Sequence, residues 1–289
     1  MTVVATNGLL KAQHQWVDDS LRSDPLQILI LNLMPTKAET ERQFLKRFSA
    51  VDDDVAVTFM YPKRHHFKTY SQRAVAEAYV SIDQVVDQHF DGLIVTGAPV
   101  EQLPFEQVDY WHEFLAIIDW AQRHVTQTLF ECWAAQAGLY AQFDVAKRLL
   151  PHKITGVYTA TTTDNRSRLI KGLSASGLLK MPQSRHTGLD LPATLPDGLN
   201  VVAQNDEVGP LVLTSATQHA VYVTGHPEYA ANTLAKEYFR DKQKRLPVTL
   251  PQHYFADSDL DQVDYSWAHA SRQLYQNWLT TLNLTKASL

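Results

Sequence analysis

The only cysteine of the 289-residue sequence, Cys132, lies in the stretch TLFECWAAQAGLY at residues 128–140. There an apolar run typical of a strand gives way to a run typical of a helix. A thiol on such a turn is exposed at the sheet edge, and the partial positive charge of the helix N-terminus favours its thiolate. The backbone N–H of Trp133 would then point toward a developing oxyanion. Because free cysteine is also among the most buried residue types, a packed structural thiol is the alternative.

A second group that could do chemistry is the histidine and glutamate of VYVTGHPEY, residues 221–229. An apolar run ends at Gly225 and presents His226 and Glu228, with Pro227 fixing the turn between them. A nucleophile at one strand end, with a histidine and an orienting carboxylate at a later one, is the arrangement of an acyl-transfer triad. The chain has 12 histidines, so a capping turn before the next helix is the alternative for this one.

The elements that must position these side chains alternate between apolar runs of strand length and stretches of helical period. This alternation is typical of an α/β fold with parallel strands joined by crossover helices. Strands are predicted at 26–34, 55–61, 91–99 and 125–131, and helices at 38–49, 71–89 and 108–124. Because ligands bind outside the carboxyl ends of parallel strands, the loops NLMPTKAETE and TGAPVE should lie near Cys132.

The second half of the chain has a different pattern. Residues 155–225 indicate a β meander with short turns, and helices are predicted at 232–245 and 265–282. There is no internal repeat and no low-complexity linker. The simplest organisation is an N-terminal extension over 1–25 and a single domain over 26–289 that carries a C-terminal helical appendage.

The composition argues against several classes of protein. Hydrophobic residues make up 45% and charged residues 20%, as in a soluble globular protein. The net charge of -5, with no basic stripe, argues against a nucleic-acid partner. No signal peptide is recognisable, and the stretch LQILILNLM is shorter than the ~20 residues of a membrane helix, so we expect a cytoplasmic protein without a membrane partner.

Metal and disulfide chemistry are not expected either. A single cysteine excludes an intramolecular disulfide and a cysteine-based zinc cage. The adjacent His65 and His66 diverge in direction and have no accompanying set of carboxylates. The sequence therefore predicts no metal site.

Longer motifs carry a family resemblance. ILILNLMPTKAETERQFL, DGLIVTGAPVEQLPFEQVDYWHEF, CWAAQAGLY and YVTGHPEY, followed by LAKEYFRD, resemble the homoserine O-acyltransferase family of the MetA type over about residues 26–282. The resemblance implies a class I glutamine amidotransferase-like (flavodoxin-like) sheet with flanking helices, a homodimer, and an acyl-CoA co-substrate without a bound cofactor. It also implies that Cys132 is the acyl-thioester nucleophile, His226 the proton acceptor and Glu228 its partner.

The resemblance extends to substrate residues. Lys153 of PHKITGVY, Ser184 of QSRHT and Arg240 of EYFRD match positions that bind the substrate in the family. Arginine offers a planar fork of donors to a carboxylate, so we expect Arg240 to hold the carboxylate of an amino acid. Glu101 of TGAPVEQLPF matches the position where glutamate accompanies acetyl-CoA and glycine accompanies succinyl-CoA, which predicts an acetyl donor.

The sequence does not decide which amino acid accepts the acyl group. Homoserine and serine both remain candidates, and serine would imply cysteine rather than methionine synthesis. Thr159 stands where the family usually has an acidic residue, Gln183 replaces a histidine before Ser184, and SWAHASRQL departs from the family's pattern. One methylene is worth only about 1–3 kcal/mol of discrimination, so few substitutions could switch the acceptor.

Two further classes compete with the acyltransferase. A glutamine amidotransferase also uses a cysteine with HPE, but its elbow is usually flanked by glycines, whereas Glu131 and Ala134 stand here. A binding or regulatory protein could retain the fold without activity. The full set of cysteine, histidine and glutamate argues against that last class.

Overall fold

The computed structural model describes residues 2–21, 24–173, 178–256 and 260–286. Its strands are β1 (Thr2–Ala5), β2 (Leu26–Leu31), β3 (Asp54–Met60), β4 (Phe90–Val95), β5 (Val125–Glu131), β6 (Lys147–Thr159), β7 (Thr161–Thr162), β8 (Lys180–Leu189), β9 (Leu199–Asn205), β10 (Gly209–Ser215) and β11 (Ala220–Val223). Its α-helices are α1 (Leu9–Ala12), α2 (Lys37–Phe48), α3 (Gln72–Ala78), α4 (Ile82–Val85), α5 (Trp111–His124), α6 (Trp133–Phe143), α7 (Thr233–Gln243) and α8 (Ala268–Lys286).

In this part of the chain the main sheet has nine strands in the order β1-β3-β2-β4-β5-β11-β10-β9-β7. The six strands from β1 to β11 are mutually parallel, and β10, β9 and β7 extend the sheet in antiparallel fashion. Because β5 and β11 are parallel neighbours, their carboxyl ends meet at one edge. That edge brings the residues after Glu131 beside those after Val223.

Helices cover both faces of the parallel strands, which explains why these strands read as continuous apolar runs. Successive side chains of β2 point to opposite faces. Ile28 and Ile30 pack in one core cluster with α2 and α8, and Leu29 and Leu31 pack in a second cluster with α5 and α6.

The segment predicted as one helix over 71–89 is two short helices. Val80 forms a parallel bridge with Met60, which interrupts the helical hydrogen bonding after α3. Ser81 then starts α4 with a capping box in which the Gln84 side chain accepts from the Ser81 N–H at 2.8 Å. The prediction of a single helix is therefore wrong, because a tertiary strand contact outweighs the local helical pattern.

The predicted meander over 155–225 is also divided. β6 and β8 form a separate antiparallel two-stranded sheet, and only the strands from β9 onward, with the short β7, join the main sheet. This small sheet, which we call the β6–β8 hairpin although β7 lies between its strands in the chain, pairs Thr155 with Ser184 and Ile154 with Arg185. It therefore places Lys153 and Ser184 close together.

Both chain ends of the described part contribute to the core. In the predicted N-terminal extension, β1 pairs in parallel with β3 and becomes the edge strand of the main sheet. Leu9 and Leu10 donate their N–H groups to the buried Glu41 carboxylate, at 2.7 and 2.8 Å. At the other end, Trp278 of α8 packs in the same cluster as β2 and β3.

Gly92 permits this packing, and its substitution should destabilise the fold. A Cβ at Gly92 would lie 2.5 Å from Trp278 Cη2 and 2.9 Å from Ile28 Cδ1. We expect Gly92→Ala to lower the free energy of unfolding by about 1–3 kcal/mol through overpacking, measured by urea denaturation. Combined with Trp278→Leu, the change should cost less than the sum of the two single changes; additive costs would contradict the contact.

Candidate active site

Cys132 occupies a strained turn between β5 and α6. Its φ is 51° and its ψ is -113°, in a region that non-glycine residues rarely adopt. The Cys132 N–H donates to the Val223 carbonyl at 2.8 Å, which ties the turn to the end of the neighbouring strand. Trp133 is the first residue of α6, so its N–H is one of the helix donors without an intrahelical partner. The backbone thus holds the thiol and this donor at one sheet edge.

His226 and Glu228 lie directly beside this turn, after β11. Nδ1 of His226 hydrogen-bonds Oε1 of Glu228 at 2.8 Å, and the Cys132 side chain lies beside the imidazole, since a Cβ at Gly97 would be 3.2 Å from both residues. All three side chains are almost fully buried. Tyr229 stacks on the imidazole with ring centroids 4.1 Å apart, which fixes the plane of the ring. The geometry is that of a nucleophile, a base and an orienting carboxylate in one chain of contacts.

The charge state of His226 follows from its neighbours. Burial lowers the pKa of His226, but the negative charges of the Cys132 thiolate and Glu228 outweigh it and hold the pKa well above its usual range. The imidazole can therefore hold a second proton beside the Cys132 sulfur.

C-terminal residues support the histidine turn from behind. Trp267 Nε1 donates to the Tyr229 carbonyl at 3.0 Å, and the Ser271 hydroxyl donates to the Pro227 carbonyl. Trp267 and the first turn of α8 therefore hold the backbone from Pro227 to Tyr229.

Gly97, after β4, leaves room for the reacting groups. A Cβ at this position would lie 3.2 Å from both Cys132 Cβ and His226 Cε1, and 3.7 Å from the Cys132 sulfur. The sequence indicated only that this glycine ends a strand. Its place against the thiol depends on the order of β4 and β5 in the sheet.

The thiol and imidazole open into a cavity of about 850 Å³. All the predicted substrate residues line it, namely Glu101, Lys153, Ser184 and Arg240. Glu228 lies behind the imidazole rather than on the cavity wall. The structure therefore brings the predicted site residues from widely separated chain segments to one place.

Glu237 of α7 is a central cavity residue that the sequence reasoning missed, although it lies in the quoted motif LAKEYFRD. Its carboxylate accepts from the Ser184 hydroxyl at 2.6 Å and from the Tyr229 hydroxyl at 2.7 Å. Lys153 Nζ lies 3.9 Å from the same carboxylate and 3.7 Å from Asp241. The spacing of Glu237, Arg240 and Asp241 places them on one helix face, which is a signal that could have found the residue.

Arg240 projects toward solvent at the cavity wall. Its Nε donates to Asp241 at 2.7 Å, and about half of the side chain is exposed. Within the described ranges no other acceptor bonds this guanidinium, so its other N–H groups can bind a ligand anion.

Glu101 also lines the cavity, in the loop after β4. Burial raises the pKa of its carboxyl group above the usual range. Lys147 holds the loop by donating to the carbonyls of Glu101 and Leu103 at 2.7 and 2.6 Å. The backbone that carries Glu101 is therefore held in place at the cavity wall.

Among the described residues, no group of three or more histidines, cysteines or carboxylates is arranged to hold a metal ion. His65 instead places Nδ1 2.9 Å from Asp109. None of the helices in the described ranges combines the length and apolar character needed to cross a bilayer.

Known proteins resemble this chain in fold and sequence. By fold, a glutamine amidotransferase from Thermotoga maritima matches with a TM-score of 0.59 and 11% identity, covering 90% of this chain and 99% of that one. A putative GMP synthase protein from Thermoplasma acidophilum matches with a TM-score of 0.57 and 12% identity, covering 92% and 98%. These similarities confirm the expected class I glutamine amidotransferase-like fold.

By sequence, a homoserine O-acetyltransferase of Lactococcus lactis subsp. cremoris is 39% identical over 279 residues, covering 93% of this chain and 86% of the relative. A homoserine O-acetyltransferase of Streptococcus pneumoniae is 37% identical over 278 residues, covering 94% and 88%. The family model for homoserine O-succinyltransferase matches residues 7–287. The chain therefore belongs to the homoserine O-succinyltransferase family of acyltransferase enzymes.

Proposed function

We propose that this protein transfers an acetyl group from acetyl-CoA to the side-chain hydroxyl of homoserine or a close hydroxy amino acid, through an acyl-thioester on Cys132. The observation that carries the proposal is the contact chain from Cys132 through His226 to Glu228 at the base of a cavity with charged walls. The two relatives named as homoserine O-acetyltransferases support the donor and the acceptor.

The first half-reaction acylates the enzyme. His226 takes the thiol proton, and the Cys132 sulfur attacks the thioester carbonyl of acetyl-CoA. The N–H of Trp133 stabilises the oxyanion of the tetrahedral intermediate. The carbon–sulfur bond to CoA then breaks, and the CoA sulfur leaves with the proton that the imidazolium returns.

The second half-reaction transfers the acetyl group. The neutral imidazole of His226 accepts the proton of the acceptor hydroxyl, whose oxygen attacks the thioester on Cys132. The new ester forms as the carbon–sulfur bond breaks, and the imidazolium returns its proton to the sulfur. Glu228 keeps Nδ1 protonated throughout, so that Nε2 serves both steps.

The charged wall orients the acceptor. Arg240 binds the amino acid's carboxylate and Lys153 binds another group on the acceptor side, since both cations line the cavity. The Glu237 carboxylate suits the ammonium group because it is half-buried and already placed by Ser184 and Tyr229. The opposite charges on this wall favour a zwitterionic amino acid over an uncharged alcohol.

The donor is selected at Glu101, and its removal should relax that selection. A succinyl group ends in a carboxylate, and two like charges about 4 Å apart at an effective dielectric near 20 repel by roughly 4 kcal/mol. We expect Glu101→Gly to shift the kcat/KM ratio toward succinyl-CoA by about tenfold or more, measured with both donors at one acceptor concentration.

Glu101→Gln is the matched control, because it keeps the volume and removes the charge. Since burial raises the pKa of Glu101, the wild type should favour acetyl-CoA more strongly as pH rises and the carboxyl ionises. A ratio that neither substitution nor pH changes would place donor selection elsewhere.

The function is tested by a matrix of acetyl-CoA and succinyl-CoA against homoserine and serine, read by release of free CoA. The highest kcat/KM should occur with acetyl-CoA and one of the two hydroxy amino acids. A preference for serine would assign the enzyme to cysteine synthesis. Release of ammonia from glutamine, without acyl transfer, would show an amidotransferase and reject the proposal.

A further inference from the structure

Glu131 is a buried carboxyl group that the acyl-transfer steps above do not use. It is the last residue of β5, directly before the nucleophile, and its side chain is fully buried. The Tyr275 hydroxyl of α8 donates to its Oε1 at 2.7 Å. The aromatic ring of Tyr275 is held edge-on by Phe44 and Phe48, so the donor is fixed.

Glu131 and Glu228 each have one carboxyl oxygen that no side chain or backbone group of the described residues satisfies. Oε2 of each glutamate is buried, and neither accepts a hydrogen bond from any donor of the described residues. The strand ends that carry the two glutamates are adjacent, and Glu228 is the neighbouring charge that acts most strongly on Glu131. Two ionised carboxylates cannot hydrogen-bond each other, whereas one proton between them would give both unpaired oxygens a partner.

The surrounding charges determine which carboxyl group keeps the proton. His226, on the Glu228 side, hydrogen-bonds Oε1 of that residue through Nδ1 and places a positive charge beside it when the imidazole is protonated. Burial raises the pKa of Glu131 well above its usual range, and the negative charge of Glu228 raises it further. The positive charge of Arg47 in α2 opposes the rise in the pKa of Tyr275. Its guanidinium donates to the Tyr229 carbonyl and the Tyr265 hydroxyl, so it does not neutralise the two glutamates.

We propose that Glu131 is a positioning residue whose protonated carboxyl donates to Glu228 and fixes the orientation in which Glu228 accepts the Nδ1–H of His226. This role rests on the proposed acyl transfer. The contacts form one line from Tyr275 through Glu131 and Glu228 to His226. The pair holds one negative charge in total. Glu228 can therefore stabilise the imidazolium while no second carboxylate charge repels Glu228.

The pair also predicts a pH effect. The proton on Glu131 is lost only as pH rises through its elevated pKa. Its loss leaves two adjacent anions and breaks the contact that orients Glu228. Acyl transfer by the wild type should therefore decline at alkaline pH.

Two variants of Glu131 distinguish the effect of its hydrogen-bond donor from the effect of its side-chain volume. Glu131→Gln keeps a donor toward Glu228 and an acceptor for Tyr275, so we expect kcat at neutral pH within about threefold of wild type and a decline that begins at higher pH. Glu131→Leu removes the donor, so kcat should fall about 10- to 100-fold while the KM values for both substrates stay nearly constant. The control Glu41→Gln alters a buried carboxyl outside the cavity and should leave the pH profile unchanged.

An infrared difference spectrum of wild type minus Glu131→Gln tests the proton directly. At neutral pH it should contain the carbonyl stretch of a protonated carboxyl group, and this needs no substrate. Absence of that signal, or a Glu131→Leu enzyme that loses stability but keeps the wild-type kcat and pH profile, would overturn the proposal. Because the spectrum is independent of acyl transfer, a failure of the proposed function would be recognised separately.

Discussion

Replacement of Cys132 by alanine should abolish acetyl transfer, with kcat reduced about 10⁴-fold or more, as for loss of a triad nucleophile. The sulfur is the atom to which the acetyl group is attached between the half-reactions, and no neighbouring group can replace it. The rate is measured as CoA release in the presence of the acceptor. The folded state of the variant is checked by its unfolding transition.

The intermediate itself can be detected, because Cys132 is the only thiol in the chain. Wild type incubated with acetyl-CoA alone should gain one acetyl mass on the peptide that contains this residue. Cys132→Ser serves as a control that keeps the size and hydrogen bonding of the side chain but is a far weaker nucleophile. Transfer by Cys132→Ala, or no adduct under single-turnover trapping, would exclude the thioester route.

Replacement of Arg240 by alanine should weaken the acceptor half-reaction alone. Loss of hydrogen bonds to a charged group costs about 1.5–3 kcal/mol, which corresponds to roughly a 10- to 150-fold lower kcat/KM for the amino acid. Acylation of Cys132 by acetyl-CoA should proceed at nearly the wild-type rate, since the donor reacts before the acceptor binds.

Lys242→Ala is the matched control for Arg240→Ala. It removes a cation from the same helix at an exposed position that does not line the cavity. Its acceptor kcat/KM should stay close to wild type. If Arg240→Ala instead slowed acylation, the guanidinium would belong to the donor site, and the assignment of the acceptor carboxylate would be wrong.

Local sequence patterns sufficed to predict the strands and turns that carry Cys132 and His226. Each of these residues directly follows a short apolar run, and parallel strand ends meet at one edge of a sheet. The positions of Lys153, Ser184 and Arg240 on the cavity wall came from the family resemblance, because single polar residues on a hairpin or a helix carry no such pattern. Their roles stay predictions until the variants are measured.

Contacts between distant segments could not be predicted from the sequence. Tyr275 and Glu131 are 144 residues apart in the chain, and the bond between them depends on where α8 crosses the sheet. The bridge of Val80 to Met60 and the separate pairing of β6 with β8 are likewise determined by tertiary contacts. Local propensity is only a weak guide when such packing competes with it.

The support of the histidine turn by α8 has a consequence during protein synthesis. Trp267, Ser271 and Tyr275 contact the Tyr229 carbonyl, the Pro227 carbonyl and Glu131, yet all three are translated after His226 and Glu228. A nascent chain that has emerged only as far as the histidine turn contains the thiol, the imidazole and the orienting carboxylate without the helix that aligns them. Reactivity of the thiol toward acyl-CoA should therefore appear late, once α8 has left the ribosome and docked.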